Sequence, residues 1–132
     1  MTRDRWDDAD DPEDSRKARR RRRRRRRRSG RMLSVEERAY REALSLDPAM
    51  AEAWNGLGFA LRNQRKYPES IDAYEEALKR RPHYAQALEY LGEAYVQMGR
   101  LDEARAIHAR LQPLDAREAR ELAKAIEKAA RR

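Results

Sequence analysis

Cysteine is absent from this 132-residue chain. That absence excludes a disulfide framework, a thiol nucleophile and a cysteine metal site. No apolar run approaches the roughly 18 residues that a membrane-spanning helix needs, so no membrane span is expected. The chain opens on acidic residues, with Asp4, Asp7 and Asp8 among its first eight, and not on a basic and then apolar leader. The expected location is therefore cytoplasmic, or nuclear in a eukaryotic host. Histidine is scarce as well: His83 and His108 are the only two, and they are not spaced as a metal pair. Gly56 and Gly58 lie inside a helical pattern with no preceding strand, which removes a dinucleotide-binding loop. Acid pairs such as Glu75–Glu76 and Asp102–Glu103 fall on solvated helix faces. No catalytic constellation is found, so the chain is not expected to be an enzyme, and neither a cofactor nor a metal is expected.

Charge is present in quantity but unevenly placed. Residues 1–15 carry seven acids and two bases, for a net −5. Residues 16–31 carry thirteen bases and no acid, for a net +13. Residues 32–132 carry 17 charges of each sign and balance to zero. All of the net charge of +8 thus sits in an N-terminal arm, and the average says nothing about the remainder. Residues 1–31 have almost nothing to bury, Trp6 being the only large apolar residue between Met1 and Met32. They are expected to form a disordered arm, acidic and then arginine-rich.

What the chain does have is a repeat of 34 residues. Ala51, Ala53, Leu57, Gly58, Ala60 and Glu69 recur as Ala85, Ala87, Leu91, Gly92, Ala94 and Glu103. A fixed period of this size means stacked supersecondary units, none of which buries its apolar face alone. Such stacks build binding surfaces more often than active sites. Within the units the apolar spacing is helical throughout. Ser34 and Glu37 form a capping box that opens a helix carrying Tyr40, Ala43 and Leu44. Further helices are expected over about 49–63, from Pro68, over about 84–98 ending at Gly99, and over 101–111. A last helix starts at Asp115, with Glu118 completing a second capping box, and its one apolar stripe suits a cap on the stack. Gly56 and Gly58 weaken an isolated helix by roughly 1 kcal/mol each relative to alanine, so close approach of a neighbouring helix is expected there.

The unit at 51–84 carries Trp54, Leu57, Gly58, Leu61, Ser70, Tyr74, Ala77 and Pro82, and the unit at 85–118 carries Leu88, Leu91, Gly92, Tyr95 and Ala104. These residues and their spacing resemble the tetratricopeptide repeat. His108, Leu111 and Ala116 depart from the family pattern in the second unit, and Tyr40, Ala43 and Pro48 supply only the second half of an earlier one. The resemblance implies an all-α fold: a short right-handed solenoid of helical hairpins, about two and a half repeats with a capping helix. The divisions expected are an arm at 1–31, a half repeat at 32–50, repeats at 51–84 and 85–114, and a cap at 115–132. The resemblance also implies that the first helix of each hairpin lines a concave groove. The groove-facing positions are then Glu52, Asn55, Phe59, Arg62 and Asn63 on one helix, and Gln86, Glu89, Glu93, Val96 and Gln97 on the next. Some family members clamp a peptide's C-terminal carboxylate with Lys and Asn, where this chain has Asn55 and Phe59. Phe59 is a candidate anchor for a ligand side chain, and Glu52, Glu89 and Glu93 give the groove a mild acidic bias.

Three kinds of partner are expected. The groove points to an adaptor that binds a protein or peptide. The arm offers Arg16, Lys17, Arg19, Arg20, Arg21, Arg22, Arg23, Arg24, Arg25, Arg26, Arg27 and Arg28, twelve bases in thirteen residues. Such a run binds polyanions such as nucleic acid by counterion release, without sequence readout, since no aromatics interleave it. Third, two and a half repeats lie near the minimum for a stable stack, and the face of the Tyr40 helix is left open, so homo-oligomers are an alternative.

Overall fold

The computed structural model describes residues 33–132, together with Arg16, Lys17, Arg19 and Arg20. The chain divides into two units, Met1–Ser34 and Val35–Arg132. In the first, Arg16, Lys17, Arg19 and Arg20 are helical and exposed. The rest of the expected arm, Arg21 to Arg28 included, lies outside the described residues.

The second unit consists of six helices: α1 (Val35–Leu46), α2 (Ala51–Asn63), α3 (Tyr67–Arg80), α4 (Ala85–Gln97), α5 (Leu101–Leu111) and α6 (Ala116–Ala130). Among the described residues there is no strand. The start of α2 differs from the sequence expectation by two residues, for a local reason. The Asp47 carboxylate accepts the Ala49 N–H at 3.1 Å and the Asp47 carbonyl accepts the Met50 N–H at 3.3 Å, so residues 47–50 close a turn and the Met50 carbonyl is the first to accept a helical bond, from Trp54 at 3.2 Å. Met50 then caps α2 in an extended conformation. The cap of α6 matches the expected box: Asp115 Oδ1 accepts the Glu118 N–H at 3.0 Å.

Each helix packs on its neighbour in sequence, α2 most heavily on α3 and α4 on α5. In addition α2 touches α4, and α4 touches α6. The first helices of successive hairpins therefore stand side by side in one layer, and α1, α3 and α5 form the other. This is a right-handed solenoid of helical hairpins. Two apolar clusters fill it. The smaller joins Leu44, Ala53, Leu57, Leu61 and Ala73, and the larger runs from Ile71 to Ile126. Trp54 packs against both and is only half-buried, its Nε1 donating to the Pro48 carbonyl at 2.7 Å. Tyr74, Leu88, Leu91 and Leu111 are fully buried, each contributing on the order of 1.5–3 kcal/mol through removal of apolar surface from water.

Small residues set how closely the layers approach. A Cβ at Gly58 would stand 2.7 Å from the Tyr74 ring, and one at Gly56 would overlap the Tyr40 ring. Ser70 stands where the family has alanine. It is fully buried, and its hydroxyl donates to the Gly58 carbonyl at 2.8 Å. Glu37, given only a capping role by its spacing, is also fully buried. It accepts from Arg41 Nε at 2.7 Å, Gln64 Nε2 at 2.8 Å and Lys66 Nζ at 3.3 Å, tying α1 to the α2–α3 turn.

Candidate partner-binding groove

Helices α2 and α4 meet through side chains spaced 31 residues apart. Asn55 Nδ2 donates to Gln86 Oε1 at 3.0 Å. The Phe59 and Tyr90 rings lie 5.0 Å apart, tilted by 41°. Arg62 reaches Glu93 Oε1 at 2.8 Å. The constant offset means two parallel helices held in one register, with four of the ten expected groove positions on α2 and α4 joined in two direct pairs. The Arg62 guanidinium also stands 5.1 Å from the Phe59 centroid and 5.3 Å from that of Tyr90, within cation–π reach of both. Glu52 pairs with Arg81, from just beyond the end of α3.

The other expected positions fall into place less tightly. Asn63 and Gln97 are exposed, while Glu89 and Val96 are half-buried. Asn55 is only 4 % exposed and forms floor, not surface. Phe59, at 37 %, is the exposed aromatic of the groove.

Tyr90, which meets Phe59, is not among the groove positions expected from the sequence. Its counterpart one period earlier is Gly56, so the repeat gives no hint of an aromatic there. The structure shows what the exchange does. Gly56 leaves room for Tyr40, whereas the Tyr90 ring stands 6.2 Å from Tyr74, the counterpart of Tyr40, and meets Phe59. Glu118 and Asp115 were also missed, because they were read only as caps. Glu118 and Asp115 face Glu89 across the α4–α6 contact. Burial, and next the neighbouring Glu118 carboxyl, push the Glu89 carboxyl from the ordinary 4.5 up to about 7, with Glu93 and Asp115 adding to the effect.

A cleft of about 540 Å³ lies away from this face, between α3 and α5. Leu78, Leu91, Tyr95 and Ile107 line it, with Glu75, Lys79, Glu103 and Arg110. Among the described residues no three His, Asp or Glu side chains gather as a metal site. Nor is any helix of those residues long and apolar enough to cross a membrane.

Stacked two-helix hairpins with a lined inner face define the class of helical-repeat proteins. Residues 37–74 and 58–119 match the model of the tetratricopeptide repeat. The chain belongs to the tetratricopeptide-repeat family. A peroxisomal targeting signal receptor of Candida albicans is 37 % identical over 65 residues, covering 49 % of this chain and 11 % of the receptor. Hsp70-Hsp90 organizing protein 3 of Arabidopsis thaliana is 35 % identical over 57 residues, covering 43 % of this chain and 10 % of that protein. The chain thus spans about a tenth of the length of these curated relatives. Among solved structures, the TPR2B domain in the pHsp70 complex of yeast Sti1 superposes with a TM-score of 0.66 at 22 % identity. The match covers 72 % of this chain and 80 % of that one, and it shows a shared fold.

Proposed function

We propose that this chain is an adaptor that binds a peptide or partner protein in the groove formed by α2, α4 and α6. The observation that carries this reading is the register between α2 and α4, which aligns Asn55–Gln86, Phe59–Tyr90 and Arg62–Glu93 and leaves Phe59 exposed among them. A rigid ladder bearing an exposed aromatic is a preorganised surface, which lowers the ordering cost of binding. The named relatives support it: one is a targeting-signal receptor, one an organizing protein of two chaperones, and the superposed domain belongs to a complex. Phe59→Ala is expected to weaken partner capture by about ten-fold or more, as loss of an aromatic anchor does. It should leave the thermal midpoint within a few degrees, because the ring is partly in solvent. Unchanged capture would remove the groove as the site.

A second reading attaches to residues 16–31 of the arm, whose thirteen bases without an acid favour polyanions. It expects log affinity for duplex DNA to fall linearly with log salt, with a slope near −0.9 per phosphate contacted. Replacing Arg19 to Arg28 by Gln should abolish that binding. Binding that survives the replacement would exclude the arm.

A further inference from the structure

Helix α1 has two unlike sides. The side with Tyr40 and Leu44 packs on α2. The opposite side carries Val35, Arg38, Ala39, Glu42 and Leu46, which follow one another at helical spacing and are all exposed. Val35 is 79 % exposed and Leu46 83 %, while the next most exposed large hydrophobic of the described residues, Leu114, is at 39 %. One period on, the positions of Val35 and Leu46 are held in α3 by Glu69 and Arg80, both exposed. The outer side of α3 is thus charged where that of α1 is apolar, and two bare apolar side chains at the ends of one stripe gain by being covered.

The cleft between α3 and α5 lies in the same outer layer. Its floor is apolar, formed by Leu78, Leu91, Tyr95 and Ile107, and its walls are charged in a fixed order. The two helices are equivalents in successive hairpins and run the same way. On α3 Glu75 comes first and Lys79 one turn later, and on α5 Glu103 comes first and Arg110 two turns later. The cleft therefore has an acidic end and a basic end. Along α1 the order is reversed, Arg38 first and Glu42 one turn later. Both Arg38 to Glu42 and Glu75 to Lys79 are steps of four residues. Laid parallel to α3, α1 brings Arg38 to the acids and Glu42 to the cations at once, and laid antiparallel it meets like charge at both. Lys79 is engaged by Glu76 and Glu103 by Arg100. Arg38, Glu42, Glu75 and Arg110 enter no ion pair among the described residues, so docking breaks none of theirs.

We propose that the occupant of this cleft is a second copy of the chain. Helix α1 of each copy lies in the α3–α5 cleft of the other, parallel to it, with Arg38 at Glu75 and Glu103 and Glu42 at Lys79 and Arg110. Ala39, small and central in the stripe, lets the helix approach the apolar floor, and Val35 and Leu46 are covered at the two ends. A two-fold axis along the helices keeps their direction and reverses the order of the outer layer, so both contacts form in one closed dimer. The inner face with its groove stays free, so this inference stands or falls apart from the groove reading.

The test follows the full chain by sedimentation over a wide range of concentration. Wild type is expected to pass from monomer to dimer as concentration rises. Two variants reverse the charge order, Arg38→Glu/Glu42→Arg on the helix and Glu75→Lys/Lys79→Glu in the cleft. Each keeps the net charge of the chain, and each alone should weaken dimerisation at least about ten-fold, because like charges then face each other in both contacts. An equimolar mixture of the two should dimerise as wild type does, since the hybrid dimer matches charge in both contacts, and this rescue also shows that both variants are folded. Val35→Ser/Leu46→Ser should weaken the dimer and leave the thermal midpoint of the monomer in place. A chain that stays monomeric at every concentration overturns the proposal. Self-association that both charge-order variants leave unchanged, as contacts of the arginine arm would be, overturns it as well. Loss in both variants without rescue on mixing refutes the pairing of α1 with the cleft, and growth in mass beyond the dimer refutes the closed two-fold form.

Discussion

Tyr74 shows how one ring sets the spacing of two helices. It is fully buried, and its ring occupies the space that a Cβ at Gly58 would enter, 2.7 Å from Cδ1 and Cε1. A Cβ at the equivalent glycine one period on, Gly92, would stand 2.6 Å from the Leu122 Cδ2 methyl and 3.3 Å from Ile107 Cγ2. A buried ring has nowhere to move, whereas a leucine methyl can change rotamer. Overpacking costs about 1–3 kcal/mol, and alanine in a helix regains about 1 kcal/mol over glycine. Gly58→Ala is therefore expected to lower stability by up to about 2 kcal/mol, and Gly92→Ala by clearly less, in urea denaturation at neutral pH. Equal losses would mean that the rigidity of Tyr74 does not set the cost. The close approach at Gly58 was legible in the sequence, since glycine in a helix interior is unfavourable without a packing reason. Glu37 was not legible as a buried ion-pair centre. Its spacing from Ser34 fits a cap, and its partners Gln64 and Lys66 lie about 28 residues away in a turn that no local pattern connects to it.

At the scale of the element, the period did most of the work. Apolar spacing gave six helices, and the 34-residue repeat gave their pairing into hairpins. What it could not give is how each turn is strained. After α4 the chain reverses at Gly99, with φ +76°, where Arg100 N–H donates to the Tyr95 carbonyl at 2.8 Å. One period earlier α2 ends in the same way. Lys66 N–H donates to the Leu61 carbonyl at 2.9 Å, but the left-handed residue is Arg65, with φ 62°. Glycine announces such a turn in a sequence, and arginine does not. A side chain in the left-handed region costs about 1–2 kcal/mol, partly offset by the greater freedom of glycine in the unfolded chain. Arg65→Gly is expected to stabilise the protein by roughly 0.5–1 kcal/mol, and Gly99→Arg to destabilise it by a similar amount, in thermal melts. Equal and opposite shifts would show the two turns to be interchangeable. A destabilising Arg65→Gly would mean that the Arg65 side chain makes a contact worth more than its strain.

Across the whole repeat unit, a formal balance of 17 acids and 17 bases in residues 32–132 conceals two carboxyls with opposite demands. Burial would raise the Glu37 carboxyl, but the donors on Gln64, Arg41 and Lys66 outweigh it and hold the group below the ordinary value of 4.5. Its contribution to stability is therefore present above the ordinary carboxylate range and is lost as pH falls through its lowered value. Glu89 behaves in reverse. Pushed up to about 7 by burial and then by Glu118, it holds its proton in the native state where the unfolded chain has released it. Between about pH 4.5 and 7 the native state binds more protons than the unfolded one at this site, so stability falls as pH rises through that window. The two effects together place the stability maximum on the acid side of neutrality. Glu89→Gln should flatten the alkaline limb, melting above the wild type at pH 8 and level with it at pH 5. Glu37→Gln should flatten the acid limb and melt well below the wild type at pH 7. These limbs were invisible in the sequence, where Glu37 and Glu89 are two of 24 acids, and only the fold brings donors to one and a second carboxyl to the other. A Glu89→Gln variant whose melting point tracks the wild type at every pH would show that Glu89 and Glu118 stand too far apart to influence each other's protons.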